Sequence, residues 1–168
     1  MISGNFQAKW PEYFDVKAEI DWTQPVAHSD LFSGAVQENE TAYFYSIVAL
    51  DGDKWLPYYI GMTFNQTAAI RNKQIDHSAR LERLKLRFPE HKFMITLGTP
   101  RFELGSITQD AIGAIEGLLI YGNWHSEMDN VKKVQTFNSI PHVFVRNVGW
   151  SEHVEPELAF GVFHKNRA

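Results

Sequence analysis

The chain has 168 residues, a formal net charge of −4 and a pI near 6.0, with 44% apolar and 21% charged side chains. That balance excludes a disordered or fibrous chain, and a length of about 150 residues is enough to bury roughly 70% of the unfolded surface. No apolar run approaches the ~18 residues of a membrane span, Met1 to Trp10 is too polar for a secretory leader, and cysteine is absent, which excludes disulfides, thiolate catalysis, zinc fingers and iron–sulfur clusters. The expectation is one cytoplasmic domain over 1–168 with no membrane partner.

Residues 1–40 hold seven acids against two bases and six large aromatics, among them Trp10, Phe14 and Trp22, with Pro11 and Pro25 breaking any long element. They read as an irregular or short-element extension packed on the core. Residues 41–50 are aromatic and β-branched (Tyr43, Phe44, Tyr45, Ile47, Val48) and predict a strand. Asp51-Gly52-Asp53-Lys54 supplies a turn, and residues 55–63 predict the returning strand of a hairpin. Neither strand alternates, so both faces should be covered.

Asn65 or Thr67 can cap a helix over 67–80, whose stripe continues through Leu81, Leu84 and Phe88 to Pro89. Residues 91–97 predict a strand ending at Gly98 and Pro100. Ser106 and Gln109 are spaced as a capping box ahead of Ile112, Ile115 and Leu119, and that helix should stop near Gly122. A short helix is expected over 127–135 and a strand over 142–148. Residues 141–168 form a second extension on the core. The fold class is α+β: a small antiparallel or mixed sheet flanked by helices.

The sequence carries no Gly-rich phosphate loop, no GxSxG elbow, no HExxH and no histidine pair at i, i+4. Its informative residues follow a different order. Tyr43-Phe44-Tyr45 lies on the first hairpin strand and Tyr59-Ile60-Gly61 on the second. Arg71 follows, then Glu116 with Leu119-Ile120 on the later helix, then Phe137-Asn138. Glu116 sits at the edge of that helix's apolar stripe, where a carboxylate can border a cleft and reach water.

Over residues 41–140 this order resembles the GIY-YIG nuclease superfamily, with Tyr43-Phe44-Tyr45 standing where the family has Gly-Ile-Tyr. The resemblance implies a metal-dependent endonuclease acting on DNA, of restriction, mobile-element or repair type. It implies that Tyr45 or Tyr59 activates water, that Arg71 stabilises phosphate charge, and that Glu116 holds Mg²⁺ or another divalent cation such as Mn²⁺. Asn138 orients the site, with Asn130 a rival for that role. The chemistry is coherent. A helix-borne carboxylate suits a hard cation, and a guanidinium suits phosphate. A phenol becomes a base only if neighbouring cations lower its pKa.

Residues 71–92 hold seven bases against three acids in an otherwise acidic chain. Lys73, Arg80, Arg83, Lys85, Arg87 and Lys92 are the candidates for tracking a nucleic-acid backbone. The flanking extensions are candidates for target specificity or for a homodimer contact. Two other readings stand beside the nuclease. One is a catalytically inactive module that keeps the scaffold to bind nucleic acid or protein. The other is a small α+β protein in which Tyr-Ile-Gly occurs by chance. Convergence of Tyr45, Tyr59, Arg71 and Glu116 on one cleft separates them.

Overall fold

The computed structural model describes residues 14–31, 43–64, 75–130, 140 and 142–161, the side chains of 31, 43 and 75–77 aside. The strands are β1 (Val16–Trp22), β2 (Val26–Ala27), β3 (Tyr43–Asp51), β4 (Lys54–Thr63), β5 (Met94–Leu104), β6 (Val143–Gly149) and β7 (Glu157–Phe160). Among the described residues the α-helices are α1 (Ile75–Arg87) and α2 (Gln109–Gly122), with one 3-10 turn, His28–Leu31. The strands form one mixed sheet in the order β4-β3-β5-β1-β6-β7, with β2 paired to β5. The protein is therefore α+β. No helix among the described residues is long and apolar enough to cross a membrane.

The hairpin forms where its residues predict it. β3 and β4 pair antiparallel from Tyr43↔Thr63 to Asp51↔Lys54, around Gly52. An irregularity falls between Ile47 and Val48, opposite Tyr58. β3 is buried from Phe44 to Ala49, so both faces are covered. Alternation sorts its side chains. Phe44 packs with Ile60, Ile20, Trp22 and the apolar stripe of α2. Tyr45 packs with Ile95, Leu97, Val26 and Tyr59 on the opposite face. α1 closes that second face by setting Leu81 and Leu84 against Ile47 and Tyr58. Ile20, Ile60, Ile112, Ile115 and Leu119 are fully buried, each worth about 1.5–3 kcal/mol of burial.

Residues 14–31 carry short elements that join the sheet. β1 lies between β5, to which it is antiparallel, and β6, to which it is parallel. It alternates Val16, Ala18, Ile20 and Trp22 inward with Lys17, Glu19 and Asp21 outward, the period of a strand with one wet face. The strand expected to end at Gly98 runs on to Leu104. At Gly98 a side chain would press on Ile20 at 2.7 Å and on Trp22 at 3.0 Å, so the glycine makes room and does not terminate. Pro100 lies beyond the last described β3 pair, Phe44↔Gly98, and faces Ile20 of β1. With one neighbour on that stretch, its missing N–H need not break a ladder bond.

α2 is capped by Thr108, whose side chain accepts the Ala111 N–H at 3.1 Å, and not by the expected box at Ser106. Its C-cap is Asn123. Residues 127–130 are not helical: Asp129 N–H donates to Tyr58 C=O at 2.7 Å, drawing this segment along the free edge of β4. Residues 65–74 and 131–139 lie outside the described residues, and with them the expected caps Asn65 and Thr67 and the rest of both expected helices.

Candidate functional site

Tyr45 and Tyr59 are on neighbouring antiparallel strands and project to the same face, with ring centroids 5.9 Å apart. Tyr45 stands opposite Gly61, and its ring crosses the space a side chain there would fill. Tyr45 is fully buried. Tyr59 is half-buried, and the Arg80 guanidinium carbon sits 3.5 Å from its ring centroid. An arginine therefore meets the tyrosine of Tyr-Ile-Gly. It comes from the second turn of α1 and is Arg80; Arg71 lies outside the described residues, as do Lys73 and Asn138.

Arg80, Arg83 and Arg87 recur at i, i+3 and i+7 on α1, so they share one face. All three reach the carboxylate of Asp129: Arg80 Nε at 3.4 Å, Arg83 Nη2 at 2.7 Å and Arg87 Nη1 at 3.6 Å. Three guanidiniums on one carboxylate leave a positive excess. Arg83 and Arg87 keep about half of their side chains in solvent, at 51% and 45%, while Arg80 is covered. Lys85 pairs with Glu82 at 3.1 Å along the helix, and Lys92 is exposed on the way to β5.

Asn130 has a structural role. Its side-chain amide accepts the Ile60 N–H at 3.0 Å and donates to the Ile60 C=O at 2.8 Å, standing in for a strand on the edge of β4. Next to it, Tyr58 is fully buried among Phe88, His91, Phe93 and His125. Its hydroxyl has no hydrogen-bond partner among the described residues. Burial, with the charges of Glu127 and Asp51 behind it, pushes this phenol up to about 12. It is no base at neutral pH.

Glu116 is on α2, half-buried at the edge of the stripe that packs on Phe44 and Ile60. The sheet thus stands between α2 and the rings of Tyr45 and Tyr59. Among the described residues no group of three or more His, Cys, Asp or Glu is placed to hold a metal ion. The hairpin tyrosines come together with an arginine, and Glu116 is on the helix that packs on the other face of the hairpin.

Sequence reasoning missed Asp129, the acid that gathers the arginines. The only hint was its place beside Asn130, already singled out. It also missed a second concave site, where the start of β4, the end of α2 and the turn after β6 meet. The signal available there was Trp124-His125 and Trp150 to His153, two aromatic–imidazole stretches among acids. Comparison of the chain with protein-family models, with curated proteins and with solved structures gave no match.

Proposed function

We propose that the protein is a non-catalytic nucleic-acid-binding module that grips the phosphate backbone with the arginine face of α1. The observation that carries this reading is the convergence of Arg80, Arg83 and Arg87 on Asp129. The carboxylate orients three planar donors and leaves Arg83 and Arg87 open to solvent. Guanidinium forks suit phosphate oxygens, and an acid that presets them lowers the cost of ordering them on contact. Lys85 and Lys92 extend the track, and by sequence Lys73 does so too.

The test is DNA binding as a function of salt. Wild type should lose affinity linearly in log salt, because each neutralised phosphate releases counterions. The double variant Arg83→Glu/Arg87→Glu should bind weakly, with its salt slope reduced by about 2. Unchanged affinity in a folded double variant would rule out this surface.

A metal-dependent endonuclease is the second reading, favoured by two phenols lying together with a guanidinium over one of them. Here Arg80 would take the part assigned to Arg71. The described residues do not fit Mg²⁺ or Mn²⁺ at the tyrosines, because Glu116 is on the helix that packs on the other face of the hairpin and no carboxylate cluster accompanies the rings. Plasmid nicking with each ion in turn separates the readings. Cleavage that persists in Tyr45→Phe, Tyr59→Phe and Glu116→Gln would place the chemistry elsewhere; no cleavage by wild type leaves the binding module.

A further inference from the structure

The start of β4, the end of α2 and the turn after β6 border an open cavity of about 570 Å³. None of its lining residues belongs to α1, and they include Trp55, Trp124, Asp53, Glu152 and Glu155, with Lys54 as the lone ammonium beside the imidazoles of His125 and His153. We propose that this cavity binds an alkylated ammonium ion of the quaternary type.

The walls are tied together by hydrogen bonds and ring contacts. Asn123 accepts the Glu155 N–H at 2.7 Å and donates to Leu119 C=O at 2.8 Å, tying the turn to the helix end. Asn147 donates to the Glu155 C=O at 2.8 Å and accepts the Trp22 indole N–H at 2.9 Å, tying the same turn to β1. Both polar groups of the Glu155 backbone are thus held by side-chain amides. Behind the turn the His153 ring stacks on Trp150 at 5.1 Å and meets the edge of Trp22 at 4.8 Å. Trp150 in turn fixes Trp55 by an edge contact at 5.2 Å. A preformed site loses little freedom on binding.

The lining selects the ligand by elimination. Three carboxylates against one ammonium disfavour an anion. The described residues include no set of donors for a hard metal ion. What remains attractive is a diffuse organic cation. Indole faces carry negative charge density, and a methylated ammonium is cheap to strip of water. Trp124 is 53% exposed and has no ring or hydrogen-bond partner among the described residues. An indole left half in water at the rim of an acidic cavity is available to cover such a cation. His153 is 3% exposed and lends its ring to the wall, with both ring nitrogens sealed from solvent and without a partner among the described residues.

The probe is choline chloride, followed by calorimetry and by the indole N–H resonances at fixed ionic strength, with the neutral isostere 3,3-dimethylbutan-1-ol as its partner. Choline should bind saturably with a Kd on the order of 1 mM or tighter, and the isostere at least about tenfold more weakly. Trp124→Ala should cut choline affinity by about tenfold, and Glu152→Gln by a smaller factor. Both side chains are exposed, so the melting temperature should hold in each variant. Equal binding of the isostere would show a merely apolar cleft and overturn the proposal. So would no saturable response to choline, or undiminished affinity in both variants.

Discussion

At Gly61 a methyl group would lie 2.6 Å from the Tyr45 ring and 2.8 Å from that of Tyr59. The glycine of Tyr-Ile-Gly thus has a packing reason of its own: it lets one aromatic ring cross the strand beneath it. Gly61→Ala should destabilise the protein by about 1–3 kcal/mol, the usual range for overpacking, as read from urea denaturation. An unchanged midpoint would mean the rings swing aside freely. Three residues earlier the balance is reversed. Tyr58 buries a hydroxyl with no partner among the described residues, and an unmade hydrogen bond in the interior is a loss. Tyr58→Phe keeps the ring contacts with Phe88, His91, Phe93 and His125 and removes that loss. It should leave stability equal or raise it by up to about 1 kcal/mol. A fall of about 1 kcal/mol or more would show that the hydroxyl is paired after all. The sequence marks Tyr59 and Gly61 as a motif but says nothing of Tyr58. Which of two adjacent tyrosines is sealed depends on the irregularity in the β3–β4 register, and that is a tertiary feature.

α1 and the segment before Asn130 make one charged unit from two elements distant in sequence. Asp129→Asn should cost about 1–3 kcal/mol, because Arg80 is covered and loses the charge of Asp129 beside it. The same change should strengthen DNA binding, since Arg83 and Arg87 no longer share a carboxylate. Melting and salt-titrated binding on one preparation check both signs, and weaker binding in a folded variant would count against the arginine face. The basic row was legible, because i, i+3 and i+7 spacing appears directly in the sequence. Its acidic partner was not, since an ion pair spanning 42 or more positions leaves no local pattern. The hairpin was legible for the same local reason. β1 was also legible, in the alternation of Val16, Ala18, Ile20 and Trp22, but the surrounding prolines and aromatics hid it. Glu116 shows the limit on the site side. Helical periodicity places it at the edge of a stripe, and only the sheet's alternation fixes which face that stripe covers.

At the scale of the molecule, three assemblies share one sheet: the α2 core on one face, α1 with its arginines on the other, and the aromatic turn where β6 meets β1. The last of these couples the whole fold to pH. Burial lowers the His153 imidazole from its ordinary 6.5 to about 3. Between those values the unfolded chain binds a proton that the folded chain refuses. Stability from this group is therefore complete above pH 6.5 and is lost as pH falls toward 3. The slope is about 1.4 kcal/mol per pH unit, or about 3 kcal/mol by pH 4, against a total of roughly 5–15 kcal/mol for an ordinary domain. His153→Phe keeps a ring between Trp150 and Trp22 and removes two nitrogens that have no partner among the described residues. The variant should match or exceed wild type at pH 7. Its stability should fall less steeply from pH 6.5 to 4, by about 1.4 kcal/mol per unit, because carboxylate protonation is common to both chains and cancels in the difference. Urea denaturation at intervals from pH 4 to 7.5 measures this directly. Parallel curves for the two proteins would mean that His153 already holds its proton in the fold or opens to take one, and would remove this residue from the acid response.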